Sequence, residues 1–156
     1  LKPLVDSLRD RNYDFDFRPH RAAEAAETIL KISKDKNQIQ AAIQLLTSDK
    51  MLNDERIDSE GTRTAAARAL GRCGPLAKDA LAPLKKRLKD PLCETRIACA
   101  EAIMLISTDP KDRTDAQTVL KNELQKGNLS QKIKTCRAIR STQSYELLSE
   151  IEKLKT

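Results

Sequence analysis

The chain has 156 residues, of which 39% are apolar and 33% charged, so it can bury one stable core without disulfide or metal staples. There is no tryptophan and there are four glycines; Ala, Leu, Lys, Glu, Arg and Gln dominate, and few runs are β-branched or aromatic, so composition leans helical. No apolar run approaches the roughly 20 residues of a membrane span, and the net charge of +6 is uneven: residues 1–60 hold 10 Lys and Arg against 12 Asp and Glu, residues 61–156 hold 19 against 11. A basic C-terminal part suits acidic partners or nucleic acid, or is a solvated surface.

Residues 1–10 carry Leu, Pro, Leu, Leu and Asp at the same offsets as residues 81–90. Proline is tolerated in a first helical turn, where its missing N–H would have no partner, so both stretches read as helices. Because it starts at the first residue of such a helix, the chain reads as a segment of a longer protein. Residues 12–20 form a connection holding Tyr13, Phe15 and Phe17, whose alternation with Asp gives an extended strip with one apolar face. That strip either covers the edge of the first helix pair or docks a partner. Residues 21–33 are an alanine-rich helix, and residues 38–47 a helix with Ile39, Ala42, Ile43 and Leu46 on one face.

Residues 48–61 are the longest connection, polar and Asp-rich, as suited to function as to harmless variation. Residues 62–71 are a second alanine-rich helix, stopping at 71–75. The leucine-type helix 81–90 follows, and 95–103 restates the alanine helix, with Arg96 falling 33 residues after Arg63. Residues 107–114 read as a turn, and 115–125 as a helix with Val119, Leu120 and Leu124 inward, stopped by Gly127 and Asn128. Ser130 is the expected N-cap of a helix over 131–140 with Ile133, Cys136 and Ile139 inward. A last helix, 145–154, carries Leu147, Leu148, Ile151 and Leu154 on one face. Self-similarity at this period predicts one domain, 1–156: an all-α, right-handed superhelical solenoid of four helix pairs (roughly 1–34, 37–74, 78–107 and 114–141) plus a terminal helix, 144–155.

Catalytic chemistry finds few candidates. His20 is the one histidine; a mononuclear metal site joining it to Asp14 or Asp16 lacks a second soft ligand, and the Asp-rich insertion lacks calcium-loop spacing. Cys73, Cys93, Cys99 and Cys136 form no Cys-x-x-Cys pair. Cys99 and Cys136 take alanine slots and are expected to be buried, whereas Cys93, in a turn, is expected to be the most reachable. Helix-embedded thiols favour a reducing, cytoplasmic compartment. With no phosphate-cradling glycine loop and no nucleophile elbow, the chain reads as non-catalytic and cofactor-free.

Leu81, Pro83, Leu84, Leu88, Asp90, Arg96, Ala100 and Ala102, with Arg63, Ala66, Ala67, Ala69, Leu70 and Gly71, resemble HEAT repeats, in the form also seen in bacterial proteins with phycobilisome-lyase-type repeats. The resemblance covers essentially the whole chain and is strongest over 62–106. It implies a scaffold for protein–protein contact, with the second helix of each pair lining a concave surface. It further implies a ladder in which Asp49, Asp90 and Asp10 partner Arg63, Arg96 and Arg18 or Arg21; Lys132 replaces the arginine in the last repeat, with no Asp at the matching place.

Aligning the alanine helices on Arg63, Arg96 and Lys132 puts Arg68, Glu101 and Arg137 at one concave position, with Arg72, Leu105 and Ser141 a turn further on. The residues expected to contact a partner are Arg68, Arg72, Glu101, Arg137 and Arg140, and the expected partner is a protein or peptide, acidic in character. The alternatives are phosphate-backbone binding by the basic half, in which Glu101 and Leu105 interrupt the stripe, and a structural module serving an attached catalytic domain.

Overall fold

The computed structural model describes residues 59–147 together with Gln40 and Ile43. The aromatic strip 13–17, His20, the expected ladder residues Asp10, Arg18, Arg21 and Asp49, and the first helix pair lie outside the described residues, as does most of the second pair. The described part is all helical, with five α-helices: α1 (Ser59–Arg72), α2 (Leu81–Arg87), α3 (Cys93–Ile106), α4 (Pro110–Lys126) and α5 (Leu129–Ser141). Short 3-10 helices at Gly74–Ala80 and Tyr145–Leu147 flank them.

Several boundaries differ from the sequence-based expectation, each for a local reason. Residues 59–61, expected in the long connection, already belong to α1. The leucine-type helix ends at Arg87, and Asp90 stands beyond it in a turn, where its carboxylate accepts from the Leu92 N–H at 3.0 Å. Residues 110–114, expected as turn, are the first turn of α4: Pro110 sits where no N–H is needed, and the Asp109 side chain caps Lys111 N at 2.8 Å. The cap of α5 is Asn128 rather than Ser130. Its side chain accepts from Gln131 N while the Gln131 side chain accepts from Asn128 N, so two orphan donors are satisfied at once. The 3-10 helix at Tyr145 replaces the start of the expected last helix, whose remainder lies outside the described residues.

Three helices run side by side in the same direction. Thr64 bonds Thr95 and Gly71 lies against Ala102, so α1 and α3 meet at a constant offset of 31 residues. Lys134 reaches Glu94, Ser141 reaches Glu101 and Ser144 reaches Met104, so α3 and the chain from α5 onward meet at a constant offset of 40. A fixed offset means parallel axes; antiparallel neighbours would show an offset that changes along the contact. Such a change is seen between α3 and α4, where Arg113 Nη1 donates to Met104 O at 2.7 Å and Arg96 Nε to Glu123 at 2.7 Å. The fold is thus a layer of α1, α3 and α5, with α4 packed antiparallel on α3 and α2 also packed on α3.

Small residues explain how closely the layer packs. Ala66, Ala67, Ala69, Ala98, Ala100 and Ala102 are all buried, and α3 is covered on several sides, leaving little of it exposed. Two glycines do different work at the end of α1. Gly74 takes φ +55° and turns the chain out of the helix, a conformation that L side chains resist. Gly71 stays helical and is needed for proximity, since an added Cβ would lie 2.9 Å from Ala102 Cα. Leu84, Leu120 and Leu124 fill the space between the layers as expected, and Val119 is half-buried. Of the residues expected inward on α5, Ile139 is buried, Cys136 half-buried and Ile133 46% exposed, because α5 has a packed side toward α3 and an open side away from it.

Arg63 and Arg96 form acid pairs among the described residues, with partners other than those the resemblance implies. Asp90 pairs with Arg63, at 3.3 Å, and not with Arg96. Arg96 instead pairs with Glu123 and donates to the carbonyls of Asp90 and Pro91 at 2.8 and 2.9 Å. In both pairs the acid lies 27 residues after the arginine. Glu123 therefore holds Arg96 as Asp90 holds Arg63, an acid that a pattern written for aspartate does not include.

A polar cluster links the other layer. Lys85 on α2 meets Asp112 on α4 at 2.5 Å, and Asp112 also accepts from the buried Ser107 hydroxyl at 2.9 Å. The bond from Lys85 holds the Asp112 carboxyl below its ordinary 3.8; partial desolvation opposes this and the Ser107 bond adds to it. The folded-state pKa lies below the unfolded one, so the stabilisation is complete above about pH 5 and fades as pH falls through the folded value. Urea unfolding of the chain and of Asp112→Asn, followed from pH 7 to pH 2.5, is expected to show a stability gap that closes in acid. A gap independent of pH would mean that Asp112 acts through something other than its charge.

Among the described residues no disulfide joins the cysteines. Burial, with a smaller contribution from Asp90, pushes the Cys99 thiol up to about 12, while Arg87 and Arg63 pull the other way. Cys73, Cys93 and Cys136 are all half-buried, so Cys93 does not stand out as expected; it accepts from the Gln131 side chain at 3.0 Å. Alkylation at pH 8 is expected to spare Cys99 until denaturant unfolds the chain, as peptide mapping by mass spectrometry would show. Labelling of Cys99 at the rate of Cys93 in native buffer would contradict its burial.

Candidate functional site

The parallel layer forms a groove on its outer side. α3 is the floor, and α1 and α5 are the walls. The depression encloses about 380 Å³ and is lined by Arg68, Gly71 and Arg72 from α1, by Glu94, Ile97, Glu101, Ala102 and Leu105 from α3, and by Lys134, Arg137 and Ala138 from α5. Helical periodicity puts them there: Arg68 and Arg72 are one turn apart, and Glu94, Ile97, Glu101 and Leu105 step along one face of α3. Four of the five residues singled out from the sequence, Arg68, Arg72, Glu101 and Arg137, come together in this groove, with Leu105 beside them.

Arg140 does not join them. It lies on the open side of α5, where Leu124, Leu129, Lys132, Ile133, Cys136 and Arg137 line a second depression of about 400 Å³. Leu129 is 76% exposed there. Arg140 falls three residues after Arg137, about 300° around the helix, and that rotation takes it out of the groove.

The charges within the groove are partly matched. Lys134 is paired with Glu94, and the Ser141 hydroxyl donates to Glu101, so both acids of the floor are held by α5. Arg68 and Arg137 are exposed and form no ion pair with any described residue. The floor between them holds Glu94 and Glu101 together with Leu105, which is 36% exposed, while Ile97 and Ala102 beneath it are buried. Sequence reasoning missed Glu94 and Lys134. The signal was present, since both lie on the groove faces of their helices, but their pairing crosses 40 residues and depends on how α5 is seated.

Among the described residues no three His, Cys, Asp or Glu side chains gather as metal ligands, and no helix is long and apolar enough to cross a membrane. The arrangement offers a floor on which the exposed Leu105 lies beside two carboxylates, between walls that carry arginine. Comparison of the chain with protein-family models, with curated proteins and with solved structures finds no match.

Proposed function

We propose that this chain is a non-catalytic, HEAT-like helical-repeat solenoid that holds a segment of another protein in the groove formed by α1, α3 and α5. The observation that carries the reading is the convergence of Arg68, Arg72, Glu101 and Arg137, from three separate helices, in one groove beside the exposed Leu105. Repeat character is supported by the parallel stacking and by the arginine–acid pairs that recur with a 27-residue spacing. Stacked repeats present such a surface without needing a central core. A nucleic-acid backbone is a poorer fit, because Glu94 and Glu101 lie along the same track as the cations.

Reversing both uncompensated arginines, Arg68→Glu with Arg137→Glu, is expected to abolish retention of the protein partner. The far-ultraviolet circular dichroism should not change, since both side chains are exposed. The assay is a pull-down from cell extract, with and without nuclease and over a range of salt. Retention unaffected by the double substitution would place the binding surface elsewhere. Loss of all retained material with nuclease, with a steep salt dependence, would replace the protein partner by nucleic acid.

A further inference from the structure

We infer that the groove holds its partner segment by a phosphorylated side chain, the phosphoryl group clamped between Arg68 and Arg137. The inference rests on reading the groove as the partner site and names the chemical group that this site takes. The parallel layer fixes where each groove side chain stands. The constant offset of 31 residues between α1 and α3 sets Arg68 level with Cys99, and the offset of 40 between α3 and α5 sets Arg137 level with Ile97. The two arginines therefore oppose each other across α3, about 3 Å apart along its axis. Both are exposed, both line the groove, and neither forms an ion pair with a described residue.

The floor at that level is uncharged, since it is the buried Ile97. The carboxylates stand to either side along α3, Glu94 and Glu101 each roughly 5–6 Å from the level of the arginines. Glu94 is taken by Lys134, and Glu101 accepts from the Ser141 hydroxyl. Two opposed cations over an uncharged floor match one compact anion of close to two charges. A phosphorylated side chain carries about −1.5 to −2 at pH 7 and three acceptor oxygens, enough for both guanidinium forks. A single carboxylate brings one charge and two oxygens, which one arginine occupies bidentately. A run of acids or a nucleic-acid backbone spreads its charge along the groove and meets Glu94 and Glu101. The width agrees. Packed helices lie about 8–10 Å apart, so the axes of α1 and α5, with α3 between them, are separated by roughly 16–20 Å. Helices about 10–12 Å across then leave roughly 4–10 Å between the walls. One phosphoryl group with a charge-assisted bond of about 2.8 Å on each side spans such a gap.

The test offers the folded, isotope-labelled full chain three peptide libraries with the same random flanks. The central residue is a mixture of phosphoserine, phosphothreonine and phosphotyrosine in the first, their unmodified counterparts in the second, and glutamate in the third. Retention and the arginine Nε–H shifts are the readouts. The expected result is retention of the phosphorylated library, with the other two held about tenfold more weakly or less, and shifts at Arg68 and Arg137. Arg68→Gln and Arg137→Gln should each weaken that retention about tenfold or more, with unchanged circular dichroism. Arg140→Gln, outside the groove, should leave it unaltered. Unmodified or glutamate peptides held as tightly as phosphorylated ones, while shifting groove residues, would overturn this inference and leave the groove reading standing. Shifts confined to residues outside the groove, no retention of any library, or tighter retention of a single-stranded oligonucleotide than of the phosphorylated peptides would overturn both.

Discussion

Asp90→Asn is expected to destabilise the fold by about 3–5 kcal/mol, the cost of leaving a buried charge without its counter-ion. Arg63 is 2% exposed, and none of its three side-chain nitrogens makes a hydrogen bond. Its compensation among the described residues is the Asp90 carboxylate, at 3.3 Å in a contact of opposite charges without hydrogen-bond alignment. Asparagine keeps an oxygen for the Leu92 N–H but removes the charge that faces both Arg63 and Arg87. The measurement is the urea-unfolding free energy of the single variant and of Arg63→Met combined with Asp90→Asn. The double variant should recover much of the loss, because a buried ion pair replaced by apolar bulk is often close to neutral. A double variant as unstable as Asp90→Asn alone would show that Asp90 acts mainly through its turn and Arg87.

Gly71→Ala is expected to lower stability by about 1–3 kcal/mol, although alanine is the better helix former by roughly 1 kcal/mol. The added methyl would meet Ala102 Cα at 2.9 Å and Ala102 Cβ at 3.1 Å. Since the nearer atom is backbone, no rotamer change relieves the clash, and α1 must move away from α3. For the same reason Ala102→Gly should rescue the substitution only in part. Thermal unfolding of the three variants tests this; a raised midpoint for Gly71→Ala would mean that α1 is seated less closely than described. Gly71 also lines the groove, so the substitution should change the shape of the groove along with stability.

The groove was largely legible in the sequence. Arg68 and Arg72 sit one turn apart, and aligning the alanine helices puts Arg68, Glu101 and Arg137 in register, since parallel helices of similar pitch present equivalent positions to the same side. Arg140, which that alignment does not put in register with Arg72 and Leu105, was expected beside them and is not there, and Ile133, expected inward, is 46% exposed. The alignment ranks residues along a helix and says little about where a neighbour ends, and α5 has no described helix on its outer side.

What the sequence determined by itself is local: the all-helical class from composition, the alanine faces from their period, and the break between the alanine-rich helix and the leucine-type helix at 71–75. Each follows from backbone preferences and side-chain volume within a few residues. What only the tertiary structure decided is the pairing of charges and the division of labour between neighbouring glycines. Arg63 with Asp90, Arg96 with Glu123, Lys134 with Glu94 and Lys85 with Asp112 each join groups from different segments of the chain. A charge takes the partner that packing brings within reach, and in a stack of helices that partner lies tens of residues away.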